Sequence, residues 1–307
     1  MSNLTQRDAF WTRIFELAKK DRDIVIVSED MGAPALDQFR VELPEQFVNV
    51  GIAEQNGLLV GAGMALEGKK PFVYAIAPFV TLRALELIRV ECGIMDIPVT
   101  LVGVGAGFGY EDSGPTHHLV EDIAILRSMP HISVNNVADA EMARAVADYC
   151  ATAKHTNYVR LERKLTQNVY SVPPDIEKGF TVFSEGADGV LVASGFMLQP
   201  AKEIVAGLKA RGKDFGLIDL FRIPANEPEL VKTLAAAKKI VSYEEHFLPG
   251  GFGSYLLEIM NDAECNRNIL RLGVEHAHGY NYVYGGRNEI HKSVALDVPT
   301  VIDRILA

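Results

Sequence analysis

Short runs of β-branched and aliphatic residues alternate with segments of helical periodicity along most of this chain. In the first half, such runs occur at Ile24–Val27, Phe47–Val50, Phe72–Ala75 and Val99–Val102. This alternation is typical of parallel strands that are joined by helices. We therefore expect an α/β fold with largely parallel sheets.

A polar stretch separates two such α/β segments. Residues 173–188 contain prolines and glycines among polar side chains, which is typical of a linker. The sequence therefore predicts two α/β domains, over 1–172 and 189–307, and 307 residues are enough for two hydrophobic cores. Strand-like runs resume in the second domain at Val190–Val192, Gly216–Ile218, Ile240–Ser242 and Ile269–Leu272.

The charge of the chain narrows the classes of partner. A net charge of −10 without a basic stripe excludes nucleic acid, because phosphate binding needs clustered lysines and arginines.

Charged residues interrupt every apolar stretch before it could span a membrane. Met1–Arg7 lacks the basic and apolar segments of a signal peptide. Three dispersed cysteines fit a reducing compartment, so we expect a cytoplasmic protein.

The segment Gly51–Gln55 places an acid, Glu54, between a predicted strand and a helix of small residues. Open α/β folds bind ligands where strands end, so Glu54 is a candidate functional residue. The helix macrodipole alone also favours an acid in the first turn, which leaves a structural interpretation open.

The segment Ser113–His118 follows a predicted strand and a glycine-rich loop. A histidine such as His117 can exchange protons near neutral pH, or it can simply bond to the backbone of its own loop. Phe108 stands where a dinucleotide-binding turn would need its third glycine. The loop is therefore expected to line a small-molecule site instead.

Together, Gly51–Gln55 and Gly114–His117 resemble the G-I-x-E and G-P-T-H motifs of transketolases and related enzymes that use thiamine diphosphate. The resemblance implies that Glu54 is a catalytic residue, which binds N1′ of the cofactor's aminopyrimidine and activates it, with Ile52 beside it in the cofactor site. It also implies that His117 is a catalytic residue that exchanges protons with bound substrate. The expected fold is a pyrimidine-binding parallel-sheet domain, followed by an α/β domain like the C-terminal domain of transketolase.

The same resemblance assigns further residues to cofactor and substrate. Asp30 and Phe79 match positions that contact the cofactor, Phe79 by packing on the aminopyrimidine. Arg163 and Arg7 match arginines that bind the anionic end of the substrate, a role that suits the guanidinium fork. Taken alone, each of these residues also fits an ordinary structural role.

Two positions depart from the family motifs. Ser113 stands where relatives carry an aspartate that binds a substrate hydroxyl, and Gly105 stands where a phosphate-contacting histidine is common. We expect Ser113 to be a substrate-binding residue. The departures leave open whether the substrate carries a phosphate, a sulfonate or another anion.

The second half of the chain carries a resemblance of its own. Ser242–His246 and Gly250–Ser254 resemble the E-E-H and G-G-x-G-S phrases of the transketolase C-terminal domain. That domain is chiefly architectural in the family, so we expect Glu245 and His246 to be structural.

The chain contains no G-D-G motif, through which the family holds the cofactor's diphosphate by way of a divalent cation. It therefore resembles the C-terminal subunit of a split, two-chain transketolase. This implies a partner, an N-terminal transketolase subunit, that carries the diphosphate-binding domain and its Mg²⁺ or Ca²⁺, with no metal ligand from this chain. Closed symmetry favours an α2β2 assembly. The implied activity is transfer of a two-carbon ketol unit from an anionic ketose to an aldose.

Three other interpretations stay open. The β-subunit of a 2-oxoacid dehydrogenase decarboxylase shares the domain order and the activating glutamate, but usually lacks the G-P-T-H phrase. Half of a deoxyxylulose-phosphate synthase is a second enzymatic alternative. A non-catalytic scaffold that binds a partner is the alternative from another class.

Overall fold

The structure is a computed structural model that describes residues 4–307. Met1–Asn3, which begin the segment considered for a signal peptide, lie outside the described residues. The chain forms two mostly parallel sheets, which confirms the predicted fold class. The strands are β1 (Ile24–Ser28), β2 (Phe47–Asn49), β3 (Lys70–Ile76), β4 (Thr100–Val104), β5 (Ile132–Asn136), β6 (Thr156–Leu161), β7 (Phe180–Ser184), β8 (Gly189–Ala193), β9 (Phe215–Leu220), β10 (Arg222–Ile223), β11 (Ile240–Phe247) and β12 (Ile269–Val274).

Helices pack against both sheets. The α-helices are α1 (Gln6–Ala18), α2 (Pro34–Glu42), α3 (Glu54–Leu66), α4 (Leu85–Leu87), α5 (Asp122–Leu126), α6 (Ala140–Cys150), α7 (Leu198–Ala210), α8 (Glu227–Ala235), α9 (Phe252–Asp262), α10 (Arg287–Ser293) and α11 (Val298–Leu306). Wide π-helical segments, Phe79–Arg83 and Ile88–Ile94, flank α4. Short 3₁₀ turns occur at Pro44–Gln46, Gly195–Met197 and His276–His278.

The first sheet has seven strands in the order β10-β5-β6-β4-β3-β1-β2. All of its pairs are parallel except β10 with β5. Strands β1, β4 and β6 are buried along their whole length, as expected for a parallel sheet that is covered on both faces. Thr5 caps the N-terminus of α1, because its hydroxyl accepts a hydrogen bond from the Asp8 backbone N–H at 3.1 Å.

The second sheet has the order β12-β11-β8-β9-β7, with β7 antiparallel to β9. It is joined to the first sheet by β10, which follows β9 along the chain and pairs with β5. The Asn136 backbone N–H also donates to the carbonyl of Phe221 at 2.7 Å. The two halves therefore share a sheet, and loops from both meet near the ends of β4 and β6.

Two elements differ from the sequence prediction. Helix α2 lies between the first two strands, in a segment for which the sequence predicts no particular element, and it buries Leu36 and Phe39 in the core. It is short and begins at a proline, so its periodicity is weak. Strand β7 lies inside 173–188, the segment predicted as a linker. It is an edge strand of alternating exposure, and its polar residues are those that suggested a linker.

Candidate active site

All of the predicted site residues except Arg7, which lies in α1, follow the carboxyl ends of five adjacent strands. Strands β6, β4, β3, β1 and β2 run parallel in this order, so the segments that leave their carboxyl ends meet at one edge of the sheet. In the same order across the sheet, these segments carry Arg163, then Ser113 and His117, then Phe79, Asp30 and Glu54.

Glu54 is the first residue of α3, and its side chain is buried, with 5% exposed. Gly51 precedes it in the left-handed region, at φ 73°, which turns the chain from β2 into the helix. Arg83 Nη1 donates to Glu54 Oε1 at 2.6 Å. A buried carboxylate is thus fixed at a helix N-terminus by a half-exposed arginine.

Glu29, which was not predicted from the sequence, lies beside Glu54. Its carboxyl group packs on the first turn of α3, where a Cβ at Gly57 would lie 2.4 Å from Oε1. Within residues 4–307, neither Glu29 oxygen has a hydrogen-bond partner. Burial, and then the charge of Glu54, raise the pKa of Glu29 to about 9. Glu29 is therefore a neutral acid at pH 7.

Asn49 ties the ends of β1 and β2 together. Its Oδ1 accepts hydrogen bonds from the backbone N–H of Asp30, at 3.3 Å, and of Gly51, at 2.9 Å. Asp30 itself adopts a left-handed φ of 57°. Ile52 is 78% exposed, two residues before Glu54. Asp30 and the Glu54 turn are thus connected through Asn49.

Phe79 connects the acidic end of the site to His117. The Arg83 guanidinium lies over the Phe79 ring, 4.3 Å from its centroid. Phe79 also meets the His117 ring edge-on, with 5.3 Å between centroids. Nδ1 of His117 lies 3.0 Å from the hydroxyl oxygen of Thr116. Two of the predicted site residues are therefore in direct contact.

Tyr110, which was also not predicted, extends these contacts toward Arg163. Its ring centroid lies 5.7 Å from that of His117, and the Arg163 guanidinium lies 4.5 Å from the Tyr110 centroid. A Cβ at Gly105 would lie 2.2 Å from the same ring. The tyrosine thus occupies the space that a histidine at position 105 would need. An aromatic residue inside a glycine-rich loop was the available signal.

The arginines at the far end of the site are already paired. Arg163 Nη2 donates to Asp112 at 2.9 Å and its Nε donates to the Gly109 carbonyl at 3.2 Å. The Ser113 hydroxyl donates to the same aspartate at 3.3 Å. Arg7 Nε donates to Asp8 at 2.9 Å.

Both arginines also act on Tyr110. Burial raises the pKa of Tyr110, and the positive charges of Arg163 and Arg7 oppose that rise. The two predicted anion-binding residues are therefore near the same ring. Each of the two guanidinium groups has a carboxylate beside it, Asp112 for Arg163 and Asp8 for Arg7.

A buried ionic cluster supports the glycine-rich loop from behind. Glu245 accepts hydrogen bonds from the Phe108 backbone N–H at 2.8 Å, from Arg287 Nε at 2.8 Å, and lies 2.5 Å from His291 Nε2. Arg287 also pairs with Glu162, the residue before Arg163. Burial works to raise the pKa of Glu245, but its contacts with Arg287 and His291 together outweigh burial and hold the pKa well below its usual range. These contacts fit the structural role expected for Glu245.

His246 and His118 are buried neighbours of the site. Burial lowers the pKa of His246 to about 4, so its ring is neutral. Its Nδ1 donates to the Phe247 carbonyl at 2.6 Å, and its Nε2 accepts from the Ala124 backbone N–H at 3.3 Å. His118 packs edge-on against Phe108, and burial lowers its pKa as well. The hydrogen bonds of His246 fit the structural role expected for it.

Comparison with protein families agrees with this architecture. The family model of the transketolase pyrimidine binding domain matches residues 2–168, and that of the transketolase C-terminal domain matches residues 180–301. The two models together cover both α/β domains, in the order of a transketolase-type chain. The chain belongs to the transketolase family.

Individual relatives include chains that match this one over most of their length. This chain is 32% identical to one subunit of the apulose-4-phosphate transketolase of Phocaeicola vulgatus, over 95% of this chain and 93% of that protein. It is 27% identical to a 6-deoxy-6-sulfo-D-fructose transketolase subunit of a Clostridium species, over 89% of this chain and 85% of that protein. A solved split gene transketolase, described as an inactive beta4 tetramer, is 30% identical, with a TM-score of 0.86 over 99% of this chain and 98% of that one. The predicted identity, a subunit of a split transketolase-type enzyme, is confirmed.

Among the described residues, no helix combines the length and the apolar character that crossing a membrane requires.

Proposed function

We propose that this chain joins a partner subunit and transfers a two-carbon ketol unit from an anionic ketose to an aldose, with thiamine diphosphate as the cofactor. The observation that carries this proposal is the continuous line of contacts along one sheet edge. The line runs from Glu54 through Arg83, Phe79, His117 and Tyr110 to Arg163. Along it lie an acid, aromatic rings, an imidazole and guanidinium groups.

The residues present fit the pyrimidine half of the cofactor. Glu54 offers a buried carboxylate to N1′, while Phe79, Ile52 and Asp30 offer the neighbouring ring, apolar and polar surfaces. When bound, thiamine diphosphate supplies a carbon nucleophile that accepts and releases the two-carbon unit. Glu54 holds or returns a proton at N1′, and the nearby neutral Glu29 adds no second charge at pH 7.

His117 is assigned to proton exchange with substrate hydroxyls. An imidazole can accept and release protons near neutral pH. Phe79 and Tyr110 pack against its ring from two directions, and the Thr116 hydroxyl lies at Nδ1, so the ring is held in place before substrate arrives. Fixed orientation of a proton donor is worth more than its presence alone.

Arg163 and Arg7 are assigned to the anionic end of the substrate, with Ser113 at a substrate hydroxyl. Since Arg163 already binds Asp112, an incoming anion would take the place of that exposed carboxylate. Relatives named for a sugar phosphate and for a sulfo-sugar support an anionic substrate. Tyr110, in the space of the usual histidine, suits either a phosphate or a sulfonate.

The partner subunit would hold the diphosphate and its Mg²⁺ or Ca²⁺, and two copies of each chain would form an α2β2 assembly. Exposed apolar side chains on and before α3 support a partner surface beside Glu54: Ile52 is 78%, Leu59 44% and Leu66 65% exposed. The similar beta4 tetramer is described as inactive, which fits a chain that needs its partner. Three free cysteines fit a cytoplasmic location.

The test is Glu54→Gln in the reconstituted two-chain enzyme, with Glu67→Gln as the matched control. Glu67 is the exposed residue that follows the same helix. Loss of the N1′ acid should reduce kcat for ketol transfer on the order of 10²- to 10⁴-fold without disrupting the assembly. Glu67→Gln should leave kcat unchanged. Near-normal turnover of an assembled Glu54→Gln enzyme would contradict the proposed role.

A further inference from the structure

Three potential metal ligands meet at the edge of the first sheet that lies opposite Glu54. His155 immediately precedes β6, His131 immediately precedes β5, and Asp96 lies four residues before β4. Strands β5, β6 and β4 are parallel neighbours in this order, so the segments that enter their amino ends lie side by side. The topology therefore brings together three residues that are far apart in sequence.

The side chains converge on the carboxylate of Asp96. Nδ1 of His155 lies 2.8 Å from Oδ1, and Nδ1 of His131 lies 3.6 Å from Oδ2. The two imidazole rings stack at 5.6 Å between centroids, with 23° between their planes. One ligand atom from each of the three residues lies within 4.8 Å of the other two.

Buried contacts fix the backbone that carries two of these ligands. The hydroxyl of Thr156, next to His155, donates to the carbonyl of Ile97, next to Asp96, at 3.0 Å. The same hydroxyl accepts from the Val99 backbone N–H at 3.3 Å. The two segments are thus tied together by a side chain that is 1% exposed. A ligand pair on such a frame loses little freedom when it binds an ion.

We propose that Asp96, His131 and His155 form a binding site for a divalent transition-metal ion, with Zn²⁺ as the best-matched ion. Imidazole nitrogen and carboxylate oxygen are preferred zinc ligands, at bond lengths of about 2.0 to 2.2 Å. Ligand atoms of a tetrahedral zinc ion are then roughly 3.3 Å apart. Nδ1 of His155 lies 2.8 Å from one oxygen of Asp96, and Nδ1 of His131 lies 3.6 Å from the other, so both imidazoles are close to that spacing from the carboxylate.

The ion has a structural role that is separate from the cofactor's cation. The site is open on one side, since the side chains of His131 and His155 are 45% and 59% exposed, and water completes the coordination. The metal joins three segments at the amino ends of β4, β5 and β6, while the cofactor residues lie at the carboxyl ends. Zn²⁺ should therefore raise the melting temperature and leave ketol transfer unaltered.

The test is calorimetric titration of Zn²⁺ into the untagged chain after treatment with a chelator. Wild-type protein should bind one ion per chain, and His155→Ala and His131→Ala should each weaken binding at least about 10-fold. His278→Ala removes an exposed histidine from a distant turn and serves as the matched control, with wild-type binding expected. His155→Gln keeps the size and polarity of the side chain if the alanine variant folds poorly.

Unchanged Zn²⁺ affinity in folded variants at both His131 and His155, or no binding by the wild-type chain, would overturn the proposal. In that event the three side chains form only a surface ion pair. Equal losses in His278→Ala would also overturn it, because they would show binding to histidines in general.

Discussion

Two buried glutamates in this chain differ in their hydrogen-bond partners, and their pKa values shift in opposite directions. Glu245 has Arg287, His291 and a backbone N–H as partners, and its pKa is held well below the usual range. Glu29 is buried to a similar degree, but within residues 4–307 its carboxyl oxygens have no partner, and its pKa rises to about 9.

The contrast separates a fold-stabilising region from a binding region. Buried polar groups are normally satisfied, and an exception in a well-packed protein calls for a reason. The satisfied acid joins two domains behind the glycine-rich loop. The unsatisfied one lies against Glu54, at the edge where cofactor and partner are proposed to bind. Burial alone therefore does not decide whether an acid is ionised, because the partners of its carboxyl group set the direction of the pKa shift.

The largest expected effect is the loss of stability in Glu245→Gln. This change removes one member of a buried ionic cluster and leaves Arg287 only partly compensated. Breaking a buried ion pair from one side typically costs about 3 to 5 kcal/mol. Urea unfolding of the lone chain should show this drop relative to Glu67→Gln, whose exposed side chain should change stability by less than about 0.5 kcal/mol. Equal stability of the two variants would show that the ionic cluster around Glu245 does not stabilise the fold.

Glu29→Gln should act in the opposite direction and raise stability at neutral pH. The folded chain retains a proton on Glu29 that the unfolded chain releases above its ordinary pKa of 4.5. Wild-type stability should therefore fall as pH rises from 4.5 toward 9, by about 1.4 kcal/mol per pH unit. The glutamine variant lacks this loss, so its advantage at pH 7 is at most roughly 3.5 kcal/mol.

Urea unfolding of Glu29→Gln and wild type at several pH values measures that advantage. It should grow between pH 5 and pH 8, roughly, and vanish near pH 4, where the carboxyl is protonated in both states. A constant difference at all pH values would show that Glu29 is ionised in the folded chain.

The smallest effects are expected at the anion end of the site, in the reconstituted enzyme. Arg163→Ala should raise the KM for an anionic substrate about 10-fold, the equivalent of one charge-assisted contact of about 1.4 kcal/mol. Asp112→Asn should lower that KM by a smaller factor, because it releases Arg163 from its present partner. A comparison of an anionic and a neutral ketose checks the assignment, since equal changes for both would show that Arg163 does not bind the anion.

The sequence predicted residues that lie in recognisable local motifs. It did not predict residues whose surroundings come from distant parts of the chain. Glu54 and His117 could be proposed from the sequence because each lies in a short motif, within Gly51–Gln55 and Gly114–His117, that resembles a transketolase motif. Glu29 could not be distinguished from Asp30 without knowing that α3 packs on one of them and leaves the other exposed. The contact of Tyr110 with Arg163 joins two different loops, and no pattern within either loop indicates it.

The same limit applies to the elements of the fold. Buried parallel strands such as β1 and β4 are recognisable as continuous apolar runs. The edge strand β7 shows only alternate burial and resembles a linker, and α2 is too short for a clear period. The pairing of β10 with β5 depends on a return of the chain that no local signal records.

Calorimetric titration of thiamine diphosphate with Mg²⁺ tests whether the cofactor site needs both this chain and its partner. The titration is made into this chain alone and into its mixture with a candidate N-terminal partner subunit from the same source. We expect the cofactor to bind to the mixture and not to the lone chain, because Glu54 and Phe79 offer only the pyrimidine half of the site. Tight binding to the lone chain, or no binding to a verified complex of the two chains, would contradict it.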